Sequence, residues 1–174
     1  MSSKTDALVG IVMGSDSDAD VMLEAGKALT EFGIPYEMDV VSAHRSPGRA
    51  HRYATEARGR GLRVIIAGAG GAAHLAGVMA ASTTLPVLAV PLAATPLAGL
   101  DALLASVQMP GGIPVGTLAV GAAGAKNAGL LAAQILSLQD PALARRLELY
   151  RAGLEESVER KSRALRERMG SQDE

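Results

Sequence analysis

Three short stretches of this 174-residue chain gather residue types that can do chemistry. The first is Gly14-Ser15-Asp16-Ser17-Asp18, which follows an apolar run. Two serine hydroxyls and the free amides of a starting helix form a natural anion cradle. The same residues also read as a plain helix cap, with Ser17 or Asp18 in the capping position. Both readings stay open on the stretch alone. The second is Ser42-Ala43-His44-Arg45-Ser46-Pro47. An imidazole, whose ordinary pKa is about 6.5, can take and return a proton near neutrality. Beside it Arg45 is a permanent, fork-shaped cation suited to phosphate. The third is Gly68-Ala69-Gly70-Gly71-Ala72-Ala73-His74-Leu75, a glycine-rich turn that ends in a second histidine. His51, next to Arg52 inside a helical pattern, reads as solvated surface.

Several familiar sites fail on these residues. Asp16, Asp18 and Asp20 spell D-x-D-x-D, but a calcium loop needs glycine at its sixth position and glutamate at its twelfth. Val21 and Lys27 stand there instead. A phosphatase-like aspartate pair is disfavoured because Gly14 and Ser15 separate the acids from the preceding run. Gly68–Ala73 matches the dinucleotide pattern G-x-G-x-x-A, which also requires an acid about 20 residues on. No Asp or Glu occurs between Glu56 and Asp101, so a nicotinamide cofactor is rejected. A serine hydrolase built on Ser15 or Ser17 lacks the G-x-S-x-G elbow.

Composition narrows the classes further. The chain is 48% hydrophobic, carries a net charge of −1 and has no cysteine, which removes disulfides, thiolate metal sites and cysteine nucleophiles. Aromatic residues make up only 2%, Phe32 and three tyrosines, too few for base-stacking platforms. With no basic excess, nucleic-acid binding is not expected. The polar start MSSKTDA does not resemble a secretory leader, and no unbroken apolar run reaches the ~18 residues of a membrane span. The cytoplasm is the expected location.

The elements that must position these clusters alternate regularly. Apolar, β-branched runs at Ala7–Met13, Tyr36–Ser42, Leu62–Gly68, Pro86–Leu92 and Pro114–Val120 read as strands. Helical patterns follow at about 17–32, 47–60, 72–83, 101–107 and 125–138, the first with Met22, Ala25, Leu29 and Phe32 on one face. Gly33 and Gly61 serve as stops, and Pro47 as a helix start. Such alternation predicts an α/β, three-layer, flavodoxin-like fold with a five-stranded parallel sheet. Residues 1–140 form the expected catalytic domain. Residues 141–174 form a charged C-terminal helical extension, with an expected break near Gly153, that packs peripherally or bridges subunits. Ligands of open parallel sheets bind beyond the carboxyl ends of the strands. All three clusters fall at such ends. A non-catalytic nucleotide- or flavin-binding module shares this fold, although flavin rings are commonly gripped by aromatics and none falls in these loops.

MGSDSD, VVSAHRSP, VIIAGAGGAAHL, GLDALLASVQMPGGIPVGTLAVG and GAKNAGLLAAQIL together resemble the class I N5-carboxyaminoimidazole ribonucleotide mutases, the PurE family of purine biosynthesis, from about Leu8 to Leu147. The resemblance implies a homo-octamer with sites at subunit contacts and neither metal nor organic cofactor. It implies a reaction that moves a carboxyl group from the exocyclic N5 of a small ribonucleotide to ring carbon C4 through released CO2. Its substrate would come from an ATP-dependent synthase. On the matching motifs, His44 would carry the proton, Ser15 and Arg45 would contact the 5′-phosphate, and Asp18 the ribose hydroxyls. Ser42, Gly71 and His74 would line the base and CO2 pocket, with Ala69, Ala72, Ala73 and Leu75 as apolar walls. The related carboxylase that uses CO2 directly is the alternative within the fold. The chain departs from the family pattern at Ala19, Ala76, Ala94 and Ala102.

Overall fold

The computed structural model describes residues 6–170. Five parallel strands, β1 (Val9–Met13), β2 (Tyr36–Val40), β3 (Val64–Gly70), β4 (Val87–Leu92) and β5 (Gly116–Thr117), lie in the order β2-β1-β3-β4-β5. This is the doubly wound, flavodoxin-like arrangement. Every residue of β1 and β4 is buried, as their unbroken apolar runs require when helices cover both faces of a sheet. β2, at an edge, is only half-buried, which its Glu37 and Asp39 tolerate. Arg60 grips Glu37 from outside at 2.6 and 3.0 Å, and the Tyr53 hydroxyl donates to the same carboxylate at 2.9 Å.

The helices α1 (Ala19–Glu31), α2 (Pro47–Arg60), α3 (Leu75–Ser82), α4 (Leu100–Val107) and α5 (Ala122–Ser137) follow the strands in turn. Met22, Ala25, Leu29 and Phe32 are buried on one side of α1, as their spacing demands. Small residues then let the next layer approach. A Cβ on Gly129 of α5 would lie 2.6 Å from the Ala25 carbonyl, so only glycine permits that helix contact. The core is aliphatic, dominated by Ile11, Ile65, Ile66, Leu29 and Leu62, with Phe32 as its one aromatic of the phenylalanine type.

Several elements differ from their expected extents. β5 shrinks from the expected Pro114–Val120 to two residues, because Pro114 has no amide to donate and the strand lies at an edge. The parallel path continues only as isolated bonds, Leu118 N to Ala89 O and Gly121 N to Pro91 O, both 2.9 Å. α3 starts at Leu75 rather than Ala72, since Gly71 and Ala73 adopt left-handed backbone, φ +58 and +44. Helix α6 (Pro141–Gly170) runs unbroken through Gly153. One glycine in a long helix costs about 1 kcal/mol relative to alanine, too little to interrupt it. Compactness divides the chain into two units, one up to Ile135 and one from Leu136 onward. No helix among the described residues is long and apolar enough to cross a membrane.

Candidate active site

The loops after β1, β2 and β3 meet at the carboxyl edge of the sheet, where the strand order reverses between β1 and β3. They enclose a cleft of about 480 Å³, within the usual range for small-molecule sites. Ser15, Asp18, Ser42, His44, Arg45 and His74 all line it. Gly71 does not; it sits in the turn behind, while its neighbours Gly70 and Ala73 face the cleft. Of the four apolar wall residues expected, Ala69, Ala73 and Leu75 line it and Ala72 is exposed elsewhere.

One end of the cleft is built from the β1 loop. Ser15, rather than Ser17 or Asp18, caps the start: its Oγ accepts from the Ser17 amide at 3.4 Å and opens a single 3-10 turn, Asp16–Asp18. Asp16 helps to fix this loop. Its carboxylate accepts from Ser15 Oγ and from the Ser17 amide, both at 3.1 Å. Asp18 occupies the cap position of α1 yet makes no capping hydrogen bond with its side chain. Its side chain lines the cleft instead. Arg45 reaches across from the β2 loop, and its guanidinium donates to the Gly14 carbonyl at 2.7 Å. The Ser42 hydroxyl accepts the Arg45 amide at 3.1 Å, which holds the His44–Arg45 turn in place.

Burial pushes the Asp18 carboxyl above its ordinary value, and nearby Asp16 adds to the rise. A backbone hydrogen bond from Ser15 and the Arg45 charge pull it partly back. An ionised group whose folded pKa is raised costs stability above that pKa. The cost fades as the pH falls through the folded value towards the unfolded one, where both states are protonated. Asp18→Asn is therefore expected to raise the melting temperature of the ligand-free protein near pH 7, and to lose that advantage near pH 4. Thermal unfolding of both proteins across this range would show it; a pH-independent difference would contradict the origin in Asp18 charge.

At the other end the two histidines meet. His44 Nε2 and His74 Nδ1 are 2.8 Å apart, with the rings edge to face at 81°. One nitrogen donates and the other accepts, the roles set by the tautomer of each ring. The contact also offers a path for a proton between the β2 and β3 loops. The floor beneath them is made by Ala69, Gly70 and Ala73, without any aromatic side chain. Ala43 and Ala94 also line the cleft. Residue type could not reveal Ala43; Ala94 packs so tightly on Gly70 that a Cβ there would collide with it. The loop bearing Ala94 is pinned by Thr95, whose hydroxyl donates to the Asp101 carboxylate at 2.7 Å. Among the described residues no group of three or more His, Cys, Asp or Glu side chains is placed to hold a metal ion.

Fold and cleft together define a flavodoxin-like α/β protein whose polar site spans the switch between β1 and β3. The chain belongs to the AIR carboxylase family, whose model matches residues 8–157. It is 54% identical over 160 residues to the N5-carboxyaminoimidazole ribonucleotide mutase of Pyrococcus horikoshii, covering 92% of this chain and 89% of that protein. It is 58% identical over 151 residues to the enzyme of the same name from Bacillus subtilis, covering 87% and 93%. Among solved structures it resembles Treponema denticola PurE, with a TM-score of 0.79 and 30% identity over 90% of this chain and 98% of that one.

Proposed function

We propose that this protein is an isomerase of de novo purine biosynthesis. It converts N5-carboxyaminoimidazole ribonucleotide to 4-carboxy-5-aminoimidazole ribonucleotide. The observation that carries this reading is the division of the cleft: an anion-and-diol end formed by Ser15, Arg45 and Asp18, and a proton-handling end formed by His44 and His74. A ribonucleoside monophosphate brings a phosphate, a diol and a heterocycle in that order. Ser15 and the loop amides receive the phosphate, with Arg45 supplying charge. Asp18 accepts the ribose hydroxyls, and the heterocycle lies over Ser42 and the Gly70–His74 turn.

In that position the carbamate on N5 breaks its N–C bond and releases CO2, N5 regaining a proton. Ring carbon C4 attacks the same CO2, and the tetrahedral C4 then gives up its proton. His44 is the proton carrier, and His74 stands within hydrogen-bond reach to share the load. The small apolar floor of Ala69, Ala73 and Leu75 holds CO2 away from water. No organic cofactor or metal enters these steps.

We further propose that the enzyme works in the cytoplasm as a homo-octamer, supplied by the ATP-dependent synthase that forms the N5-carboxylated substrate. Leu97, Leu100, Leu104 and Val107 project from α4 and the loop before it, 49–61% exposed, as an apolar face that such an assembly would cover. Turnover of N5-carboxyaminoimidazole ribonucleotide without ATP, followed by appearance of the ring-carboxylated product, is the expected result. Activity only with aminoimidazole ribonucleotide and high CO2 would make the protein the direct carboxylase instead. Flavin absorbance in the purified protein, without turnover, would favour a binding module.

A further inference from the structure

We propose that α6 pairs antiparallel with α6 of a second copy, about a two-fold axis passing between Glu159 and Arg160. Within α6, Leu147, Tyr150, Leu154, Val158, Leu165 and Met169 recur at helical spacing and fall on one stripe. Leu154, Val158, Leu165 and Met169 are between 48% and 66% exposed. A stripe of this length open to water calls for a cover, and the charges beside it indicate which one.

Residues 148–159 carry four glutamates and one arginine, whereas residues 160–168 carry five basic residues and one glutamate. The helix is thus an acidic block followed by a basic block. A parallel pair would set like against like. An antiparallel pair sets each acidic block against the basic block of its partner. The reversal also keeps the apolar stripe in register, placing Leu154 opposite the partner subunit's Leu165. Val158 then faces the aliphatic stem of the partner subunit's Lys161, whose ammonium can still reach water.

The flank beside the stripe repeats the logic at residue level. Glu155, Glu159, Ser162 and Arg166 follow at steps of four, three and four, so they share one flank. In an antiparallel pair a flank faces its own counterpart run backwards, which brings Glu155 towards the partner subunit's Arg166. A shallow groove lined by Val158, Glu159, Ser162, Arg163 and Arg166 marks this side of the helix. Ser162 already steadies Arg166, whose guanidinium donates to its hydroxyl at 3.1 Å. The self-complementarity is that of an isologous, closed contact rather than of an open filament. It stands independently of the catalytic reading.

The absence of native cysteine makes the register directly testable in the full-length protein. Within one helix, positions 154 and 165 lie about 16 Å apart along the axis, beyond the reach of a disulfide. Mild oxidation of the Leu154→Cys/Leu165→Cys double variant should therefore give a covalent dimer on a denaturing, non-reducing gel. Each single variant should remain monomeric there. In the double-cysteine background, Glu155→Lys/Glu156→Lys/Glu159→Lys should lower the dimer yield several-fold. Adding Arg160→Glu/Arg163→Glu/Arg166→Glu, which swaps the two blocks, should restore it. Equal cross-linking by Leu154→Cys alone would make the pair parallel and overturn the proposal. So would a double variant that stays monomeric, or a yield indifferent to charge reversal.

Discussion

Replacing His44 by asparagine is expected to lower turnover by roughly 10²–10⁴-fold, the usual worth of a positioned proton carrier, while ribonucleotide binding stays measurable. Asparagine keeps a polar side chain in the cleft but cannot titrate. The groups proposed to hold the phosphate and ribose, Ser15, Arg45 and Asp18, lie at the other end and are untouched. kcat should therefore fall much more than affinity for the nucleotide. His74→Asn is the informative companion. It leaves His44 in place but removes the ring that meets its Nε2 at 2.8 Å. Its kcat should fall less, because His44 stays in the cleft and loses only its hydrogen-bond partner. Steady-state kinetics with the N5-carboxylated nucleotide, together with calorimetric titration of product, separate the two effects. An unaltered kcat in His44→Asn would remove His44 from the chemistry altogether.

The parts of this architecture that were readable in the sequence are those where one physical requirement dominates. β1 and β4 are buried on both faces, so their residues are uniformly apolar and their extents nearly unmistakable. Gly61 at φ +115 ends α2 because the left-handed position there favours glycine. Where requirements compete, residue type misleads. Ser17 and Asp18 both have cap chemistry, yet it is Ser15 whose side chain caps, because a 3-10 turn over Asp16–Asp18 precedes the helix and its hydrogen bonds are all local. Gly71 looked like a wall of the cleft, yet its left-handed backbone makes it the corner behind the wall. Position along the chain placed each cluster at a strand end. The 2.8 Å meeting of His44 with His74 was different, because residues thirty apart become neighbours only after β3 inserts beside β1. Topology supplied that contact, and the strand order is not written in any local pattern.

Arg45→Leu should chiefly damage binding. A hydrogen bond between charged partners is worth about 1.5–3 kcal/mol, so the KM for the ribonucleotide should rise by roughly 10- to 150-fold on that basis. Because phosphate is held equally in ground and transition states, kcat should change much less. A second consequence follows from the geometry. The guanidinium donates to the Gly14 carbonyl at 2.7 Å and its charge restrains the rise in the Asp18 carboxyl. Without Arg45, Asp18 should protonate at still higher pH and accept the ribose hydroxyls less well as the solution is acidified. KM of Arg45→Leu should accordingly climb more steeply than that of the parent enzyme as pH falls. Arg45→Lys, which keeps the charge but loses the fork, should fall between the two in KM and retain most of the parent's pH dependence. The Asp18→Asn/Arg45→Leu double variant closes the cycle. If the two residues serve phosphate and ribose independently, their losses add. If Arg45 also tunes Asp18, the double variant should lose less than the sum, because asparagine has no carboxylate left to protonate. A KM for Arg45→Leu equal to the parent's would place the phosphate elsewhere in the cleft and with it the orientation of the whole substrate.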